Sequence, residues 1–123
     1  MGRDNLFIGN LGEKMAEAYL INNGYKIIDN NVRTSFGEID MIAYRKHILV
    51  FIEVKTRSSD TFGPPQYAVT AKKKKNLIRS IQYYLKKNRI YDIDLRIDVI
   101  SINLNEEMKL EKLEHIKSAI WLD

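Results

Sequence analysis

The apolar run Ile48-Leu49-Val50-Phe51-Ile52 constrains the fold of this chain more than any other segment. Successive side chains of a strand point to opposite faces of a sheet, and here every position is apolar. Both faces of such a strand must be covered, which is typical of a central strand. The run therefore predicts a sheet with packing layers on both sides.

Other segments predict the elements around this strand. One helix is predicted from an N-cap at Asn10 to about Asn23, where Gly24 ends it, and another from an N-cap at Thr70 to about Lys87. Strands are predicted at Tyr25 to Asp29 with Asn30 to Thr34 extending it, Ile39 to Tyr44, Ile48 to Lys55, Leu95 to Leu104 and, as a short edge strand, Leu110 to Ile116. This order predicts an α/β fold, with a central mixed sheet of about five strands flanked by α-helices, in a single domain of residues 1–123.

The composition narrows the chemistry that is open to the chain. It has no cysteine and two histidines, which argues against thiol chemistry and against a histidine-rich metal site. Oxygen ligands from Asp and Glu remain, and these suit Mg²⁺ or Mn²⁺. No hydrophobic signal segment or membrane-length apolar run is present, so we expect a cytoplasmic protein with no membrane partner.

Charged residues interrupt the two best strands. Asp40 lies in one strand, and Glu53 and Lys55 end the next, where they point to the same face. A hairpin loop of two or four residues would put Asp40 on that face too, whereas a loop of three would turn it away unless a bulge corrected it. Two carboxylates there could hold a divalent cation, which would activate water and neutralise a scissile phosphate, with Lys55 beside them. An ion-paired trio at a sheet edge explains the same spacing equally well.

Glu13 also has two interpretations. It stands three residues after Asn10, as the acidic member of a capping box does. It could instead deliver a further carboxylate from the first helix to the acidic site.

A run of four lysines, Lys72, Lys73, Lys74 and Lys75, begins the second predicted helix. Cations there oppose the helix dipole, but together with the free N–H groups they make a strongly positive site for phosphate. A solvated basic stretch is the simpler explanation. The run follows Thr56 to Thr70, a long irregular segment that leaves from Lys55, so phosphate binding is favoured, with Arg57 widening the basic patch.

Three further predictions concern the positions and contacts of individual side chains. Arg96 and Asp98 alternate on one strand face and predict a salt bridge. His115 is expected to face solvent, and Trp121 to close the core at the C-terminus.

Several of these segments together resemble the YraN-like family of small bacterial proteins. The matching segments are Gly12-Glu13-x-x-Ala16, Asn31-x-Arg33, Gly37-Glu38-Ile39-Asp40, Phe51-Ile52-Glu53-Val54-Lys55-Thr56-Arg57 and Arg96-Ile97-Asp98-Val99. That family in turn is similar to the restriction-endonuclease-like superfamily with the PD-(D/E)xK motif, and most of all to Holliday-junction resolvases.

The resemblance implies a Mg²⁺- or Mn²⁺-dependent endonuclease with DNA as its partner, including branched or damaged DNA. Asp40 and Glu53 would then be metal ligands, Lys55 the catalytic lysine and Glu13 the helix carboxylate. A homodimer would suit a symmetric junction. A nucleic-acid-binding module that does not cut remains the alternative, since a fold does not establish catalysis.

Overall fold

A computed structural model describes residues 5–58 and 70–121 of the chain. Its elements are α1 (Asn5–Asn22), β1 (Lys26–Thr34), β2 (Gly37–Arg45), β3 (Ile48–Ser58), α2 (Ala71–Lys87), β4 (Asp94–Leu104) and β5 (Leu110–Ile120). The strands form one sheet in the order β1-β2-β3-β4-β5, in which β3 and β4 are parallel and the other neighbours antiparallel. The predicted α/β fold with a central mixed sheet of five strands is confirmed. In the described part of the chain, neither helix is long and apolar enough to cross a membrane.

The two helices pack on opposite faces of the sheet, which we call the α1 face and the α2 face. Val50 and Ile52 of β3 join the buried cluster that contains Ala16 and Leu20 of α1. Leu49 and Phe51 join the cluster that contains the α2 residues Leu77, Ile81 and Tyr84. The apolar run at Ile48–Ile52 is therefore covered on both faces, as its sequence predicts.

Helix α1 begins earlier than predicted and ends where expected. It already includes Asn5, so Asn10 and Glu13 both lie inside the helix and the predicted capping box is wrong. At the other end Gly24 has a φ of 86°, and the N–H of Tyr25 donates to the carbonyl of Leu20 at 2.9 Å. This is the left-handed C-terminal cap that Gly24 predicts.

Gly12 lies where α1 comes very close to the sheet. A Cβ atom built on Gly12 would overlap the side chain of Thr56 in β3, at 2.7 Å from its Cγ2 and 2.8 Å from its Cβ. Gly9, one turn earlier, has no atom within 4 Å of such a Cβ. Gly12 is therefore required for the close packing of α1 on β3, whereas Gly9 is not. The close approach lies directly beside Glu13, the next residue of α1.

We expect Gly12→Ala and Gly9→Ala to change stability in opposite directions. The first forces α1 away from Thr56, and overpacking of this kind costs about 1–3 kcal/mol. The second gains the helix propensity of alanine, up to about 1 kcal/mol. Urea unfolding of the two variants measures both effects, and a Gly12→Ala protein as stable as Gly9→Ala would contradict the close packing.

The β2–β3 hairpin has a loop of two residues. Arg45 pairs with Ile48, and the intervening Lys46 and His47 have φ angles of 50° and 68°. Positive φ at both loop positions is the geometry of the tight turn that suits the twist of a hairpin. The even loop that the candidate site requires is therefore present.

β3 and β5 run three or more residues past their predicted ends. β3 continues to Ser58, which pairs with Leu104 of β4, so Thr56–Ser58 belong to the sheet and not to an irregular segment. Residues 59–69, the rest of that predicted segment, lie outside the described residues. β5 is an edge strand as predicted but runs to Ile120 rather than Ile116.

A buried polar network lies on the α1 face around Asp98, whose side chain is fully buried. Its carboxylate accepts hydrogen bonds from the guanidinium of Arg96 at 2.9 Å and from Nε2 of His115 at 2.7 Å, and also from the backbone N–H of Ser118. The predicted Arg96–Asp98 salt bridge is confirmed. The prediction that His115 faces solvent is wrong, because its side chain is only 5% exposed and its Nδ1 lies 2.9 Å from the hydroxyl of Tyr19.

Trp121 does not close the core, so that prediction is also wrong. Its side chain is 71% exposed, whereas the preceding residue, Ile120, is buried in the α2-face cluster. Ile120 occupies the inward position at the end of β5, and side-chain alternation turns the next residue outward.

Candidate functional site

The β2–β3 hairpin brings Asp40 and Glu53 together. Met41 pairs with Ile52, so continuing the register by one step places Asp40 opposite Glu53 on the α2 face. The backbone N–H of Val54 donates to Oδ2 of Asp40 at 2.9 Å. This hydrogen bond from the backbone of β3 holds the Asp40 carboxylate beside Glu53.

The two acids line a pocket of about 340 Å³ between the end of this hairpin and the first half of α2. The pocket is lined by Phe36, Gly37, Glu38, Asp40, Glu53, Lys73, Asn76 and Leu77. Apolar groups form part of its wall, and the charged groups converge from two strands and one helix. Such a pocket suits a charged ligand that is held by few directed contacts.

Burial raises the pKa of both carboxyl groups. The pKa of Asp40 is raised by burial and further by the charge of Glu38, although the hydrogen bond from Val54 opposes this. Burial and then the charge of Asp40 raise the pKa of Glu53 to about 7, against the opposing charges of Lys55 and Lys73. A side-chain hydrogen bond between the two carboxyl groups lowers the pKa of Asp40 and raises that of Glu53, so Glu53 is the acid that takes up the proton. The pair therefore takes up a proton as pH falls through about 7, and a cation could replace that proton.

Lys73 is the lysine of the four-residue run that reaches the pocket. It lines the cavity, and its positive charge lowers the pKa of both Asp40 and Glu53. Lys72, Lys74 and Lys75 are exposed on the first turns of α2 and are not among the residues that line this pocket. Thr70 caps this helix as predicted, since its Oγ1 accepts the N–H of Lys73 at 3.2 Å. The cap fixes the backbone at Lys73 beside the acids.

Lys55 and Arg57 continue along β3 from Glu53. All three lie on one side of the strand because side chains alternate. Lys55 is half-buried and its charge acts on Glu53. Arg57, also half-buried, pairs across the sheet with Asn103 of β4 and lies further from the pocket. The acidic pair therefore has two cations near it, Lys55 of β3 and Lys73 of α2.

Glu13 approaches the same site from α1. Burial raises the pKa of Glu13, the charge of Asp40 raises it further, and a hydrogen bond with Asn31 opposes both. It lines a neighbouring hollow rather than the pocket that contains Asp40 and Glu53, and Glu38 borders both. Glu13 thus acts electrostatically on Asp40, and in this conformation it does not share a cavity with Glu53.

A Mg²⁺ or Mn²⁺ ion fits the chemistry of the acidic pair. Within residues 5–58 and 70–121 there is no group of three or more His, Asp or Glu side chains that could enclose a metal ion. Mg²⁺ does not need one, since it keeps several waters and is usually bound by one or two carboxylates together with substrate phosphates. The half-buried carboxyl groups of Asp40 and Glu53 form such a donor set.

Asn76 and Phe36 also line the pocket, and neither was predicted as a site residue from the sequence. Asn76 follows Lys73 by three positions, so helical periodicity could have placed both on one face of α2. Phe36 stands in the Ser35-Phe36-Gly37 turn, and nothing in the local sequence distinguishes it from an ordinary exposed turn residue. The register of β1 against β2 and the position of α2 bring it to the acids.

Residues 12–102 match the model of the family described as "Uncharacterised protein family UPF0102". The chain belongs to this family. The matched range contains Glu13, both acids of the pocket and all four lysines of the α2 run. The UPF0102 match confirms the resemblance to YraN-like proteins.

Curated UPF0102 proteins from several bacteria match nearly the whole chain. The UPF0102 protein of Alkaliphilus oremlandii is 49% identical over 117 residues, covering 94% of this chain and 98% of its own length. Those of Caldanaerobacter subterraneus and Clostridium acetobutylicum are 42% and 40% identical, covering 91% and 99% of this chain and 93% and 100% of their own. UPF0102 relatives thus have about the same length as this chain.

Proposed function

We propose that this protein is a Mg²⁺- or Mn²⁺-dependent endonuclease that hydrolyses phosphodiester bonds in DNA, with branched or damaged DNA as its preferred substrate. The observation that carries the proposal is the half-buried pair Asp40 and Glu53 in one pocket, with Lys55 and Lys73 beside them. The five-stranded mixed sheet fits the restriction-endonuclease-like architecture that the sequence resembles.

Each side chain has a place in this reaction. Asp40 and Glu53 would hold the divalent cation, which supplies charge neutralisation of the phosphate and a lowered pKa for the attacking water. Lys55 orients the attacking water or stabilises the charge that develops on the phosphate oxygens. The water oxygen forms a bond to phosphorus as the bond to the leaving oxygen breaks. The attacking water gives up a proton to solvent, and the leaving oxygen takes one from solvent.

The basic end of α2 would bind the DNA backbone. Lys73 lies where a phosphate could reach both the pocket and the helix N-terminus, whose free N–H groups attract anions. Lys72, Lys74, Lys75 and Arg57 would contact neighbouring phosphates and make binding depend on salt. A cytoplasmic location and a homodimer stay predictions.

A cleavage assay tests the proposal directly. Purified protein is incubated with supercoiled plasmid and with a four-way DNA junction, with Mn²⁺ or Mg²⁺ and with EDTA. We expect nicking that requires the metal, that is lost in Asp40→Asn and that persists in Asp94→Asn. Asp94 is a matched control because it is exposed and lies at the opposite end of β4 from the pocket.

The same assay separates the non-cutting alternative. If the protein binds these DNAs but cuts neither them nor single-stranded DNA at any Mn²⁺ concentration, the endonuclease proposal is wrong and the binding module remains. Cleavage that survives in Asp40→Asn would contradict the role of Asp40, since the activity would then come from another site or from a contaminating nuclease.

A further inference from the structure

An exposed aromatic ring stands at the rim of the acidic pocket. Phe36 lies at the tip of the β1–β2 turn, is 40% exposed and lines the cavity together with Asp40 and Glu53. It belongs to neither buried cluster of the sheet. Its ring therefore presents apolar surface beside the charged groups of Asp40, Glu53 and Lys73.

The turn that carries Phe36 is held in place from both sides. Oγ1 of Thr34 accepts the backbone N–H groups of Phe36 at 3.1 Å and of Gly37 at 3.2 Å. The same oxygen lies 2.7 Å from Oγ of Ser80, a fully buried residue of α2. The turn is thus tied to the helix that forms the other wall of the pocket. Little conformational entropy would be lost when a ligand packs on the ring.

A cation lies against the same ring. The guanidinium carbon of Arg79 is 5.8 Å from the ring centroid of Phe36, within the range of a cation–π contact. Arg79 follows Lys73 and Asn76 at intervals of three residues, so the three share one side of α2. An apolar ring flanked by these groups suits a ligand with an aromatic face and a phosphate next to it.

We propose that Phe36 is a stacking platform for an unpaired nucleobase next to the phosphate that enters the pocket, with Arg79 binding the adjacent phosphate. This inference rests on the proposed function and deepens it by naming the substrate class. Paired bases in a duplex have both faces covered by their neighbours, so only a base at a branch, bulge or single-stranded end can stack on the ring. Phe36 then determines specificity, while Asp40 and Glu53 act on the phosphate.

Binding without any divalent metal tests the stacking separately from cleavage. Fluorescence anisotropy measures the affinity for a DNA duplex with a single unpaired base and for the fully paired duplex of equal length. We expect Phe36→Ala to weaken binding of the first by about 5- to 100-fold, the loss that removal of one base–aromatic stack produces. Binding of the paired duplex should change less than about twofold, and Phe36→Trp should keep the preference.

Tyr91→Ala is the matched control. Tyr91 is a more exposed aromatic residue, at 68%, and follows the C-terminal end of α2, away from the pocket. Its substitution should leave both affinities unchanged. An equal loss on both DNAs in Phe36→Ala, or no loss on either, would overturn the stacking role. A selective loss in a protein that never cuts DNA would support the platform and contradict the endonuclease. A wild-type protein that binds neither DNA contradicts the platform, and the metal-dependent cleavage assay then decides on the endonuclease.

Discussion

Asp98→Ala is expected to lower the free energy of unfolding by about 3–5 kcal/mol, the largest stability effect that we expect of any single substitution in this protein. The carboxylate is fully buried and accepts hydrogen bonds from Arg96, His115 and the backbone of Ser118. Its removal leaves a guanidinium and an imidazole without their acceptor in an apolar layer. These buried groups give up their hydrogen bonds to water on folding, and without Asp98 the folded protein does not replace those bonds.

The surface ion pair of Arg33 and Glu38 supplies the control. Its atoms are 3.4 Å apart and the side chain of Arg33 is 88% exposed, so Arg33→Ala should cost less than about 1 kcal/mol. Denaturant unfolding at pH 7 compares the two variants. A cost for Asp98→Ala no larger than that for Arg33→Ala would mean that the network does not hold β4 against β5.

The pH dependence of stability provides a second measurement on the same residue. Burial alone would raise the pKa of Asp98, but the hydrogen bonds from His115, Arg96 and Ser118 outweigh it and leave this pKa below its ordinary 3.8. The unfolded chain therefore binds a proton more readily than the folded one in acid. The stabilisation is complete above the ordinary pKa and is lost as pH falls below it. Wild-type protein should lose this contribution below about pH 4, and Asp98→Ala should lack that loss.

The candidate site could be predicted from the sequence because its geometry is local. Asp40 and Glu53 are joined by one hairpin, so side-chain alternation and an even loop suffice to put them on one face. The start of α2 could be predicted equally well, because Thr70 caps the helix through a hydrogen bond with a residue three positions later. In both cases the deciding interaction joins residues close in the chain.

The wrong predictions share a dependence on distant contacts. His115 is buried by partners 17 and 96 residues away, and nothing in its own strand indicates them. Asn10 has the composition of an N-cap, yet α1 runs through it because the helix packs on β3 at Gly12 and Ala16. Local propensity cannot report such packing. Which of the four lysines reaches the pocket likewise depends on how α2 is rotated against the sheet.

Glu53→Gln and Asp40→Asn are expected to abolish cleavage and at the same time to stabilise the metal-free protein. Loss of the cation would reduce the cleavage rate roughly 10²- to 10⁴-fold, because charge stabilisation by a bound metal contributes several kcal/mol to the transition state. In Glu53→Gln the new side-chain amide can donate to Asp40 at every pH, so the half-buried pair no longer needs a proton. We expect a gain of about 1–3 kcal/mol at pH 8 in the absence of metal.

The sign of the pH dependence distinguishes this effect from a general change in packing. Burial and Asp40 raise the pKa of Glu53 from 4.5 to about 7, so between these values the folded protein binds more protons than the unfolded chain. Stability of the metal-free wild type should therefore fall as pH rises from about 5 to 7, and Glu53→Gln should remove most of that fall. Glu106→Gln, at an exposed position of the β4–β5 connection, should leave it unchanged.

Metal binding should offset the loss of stability that ionisation of Glu53 causes at high pH. The effect of the metal on stability therefore tests the site without any cleavage assay. A cation that replaces the shared proton stabilises only the folded state, so Mn²⁺ should raise the melting temperature of the wild type at pH 8. The shift should disappear in Glu53→Gln and Asp40→Asn and persist in Glu106→Gln. An equal Mn²⁺ shift in all four proteins would place the ion elsewhere. If Glu53→Gln is instead less stable than the wild type, the carboxyl group contributes to folding, and the case for a site maintained at a cost in stability is lost.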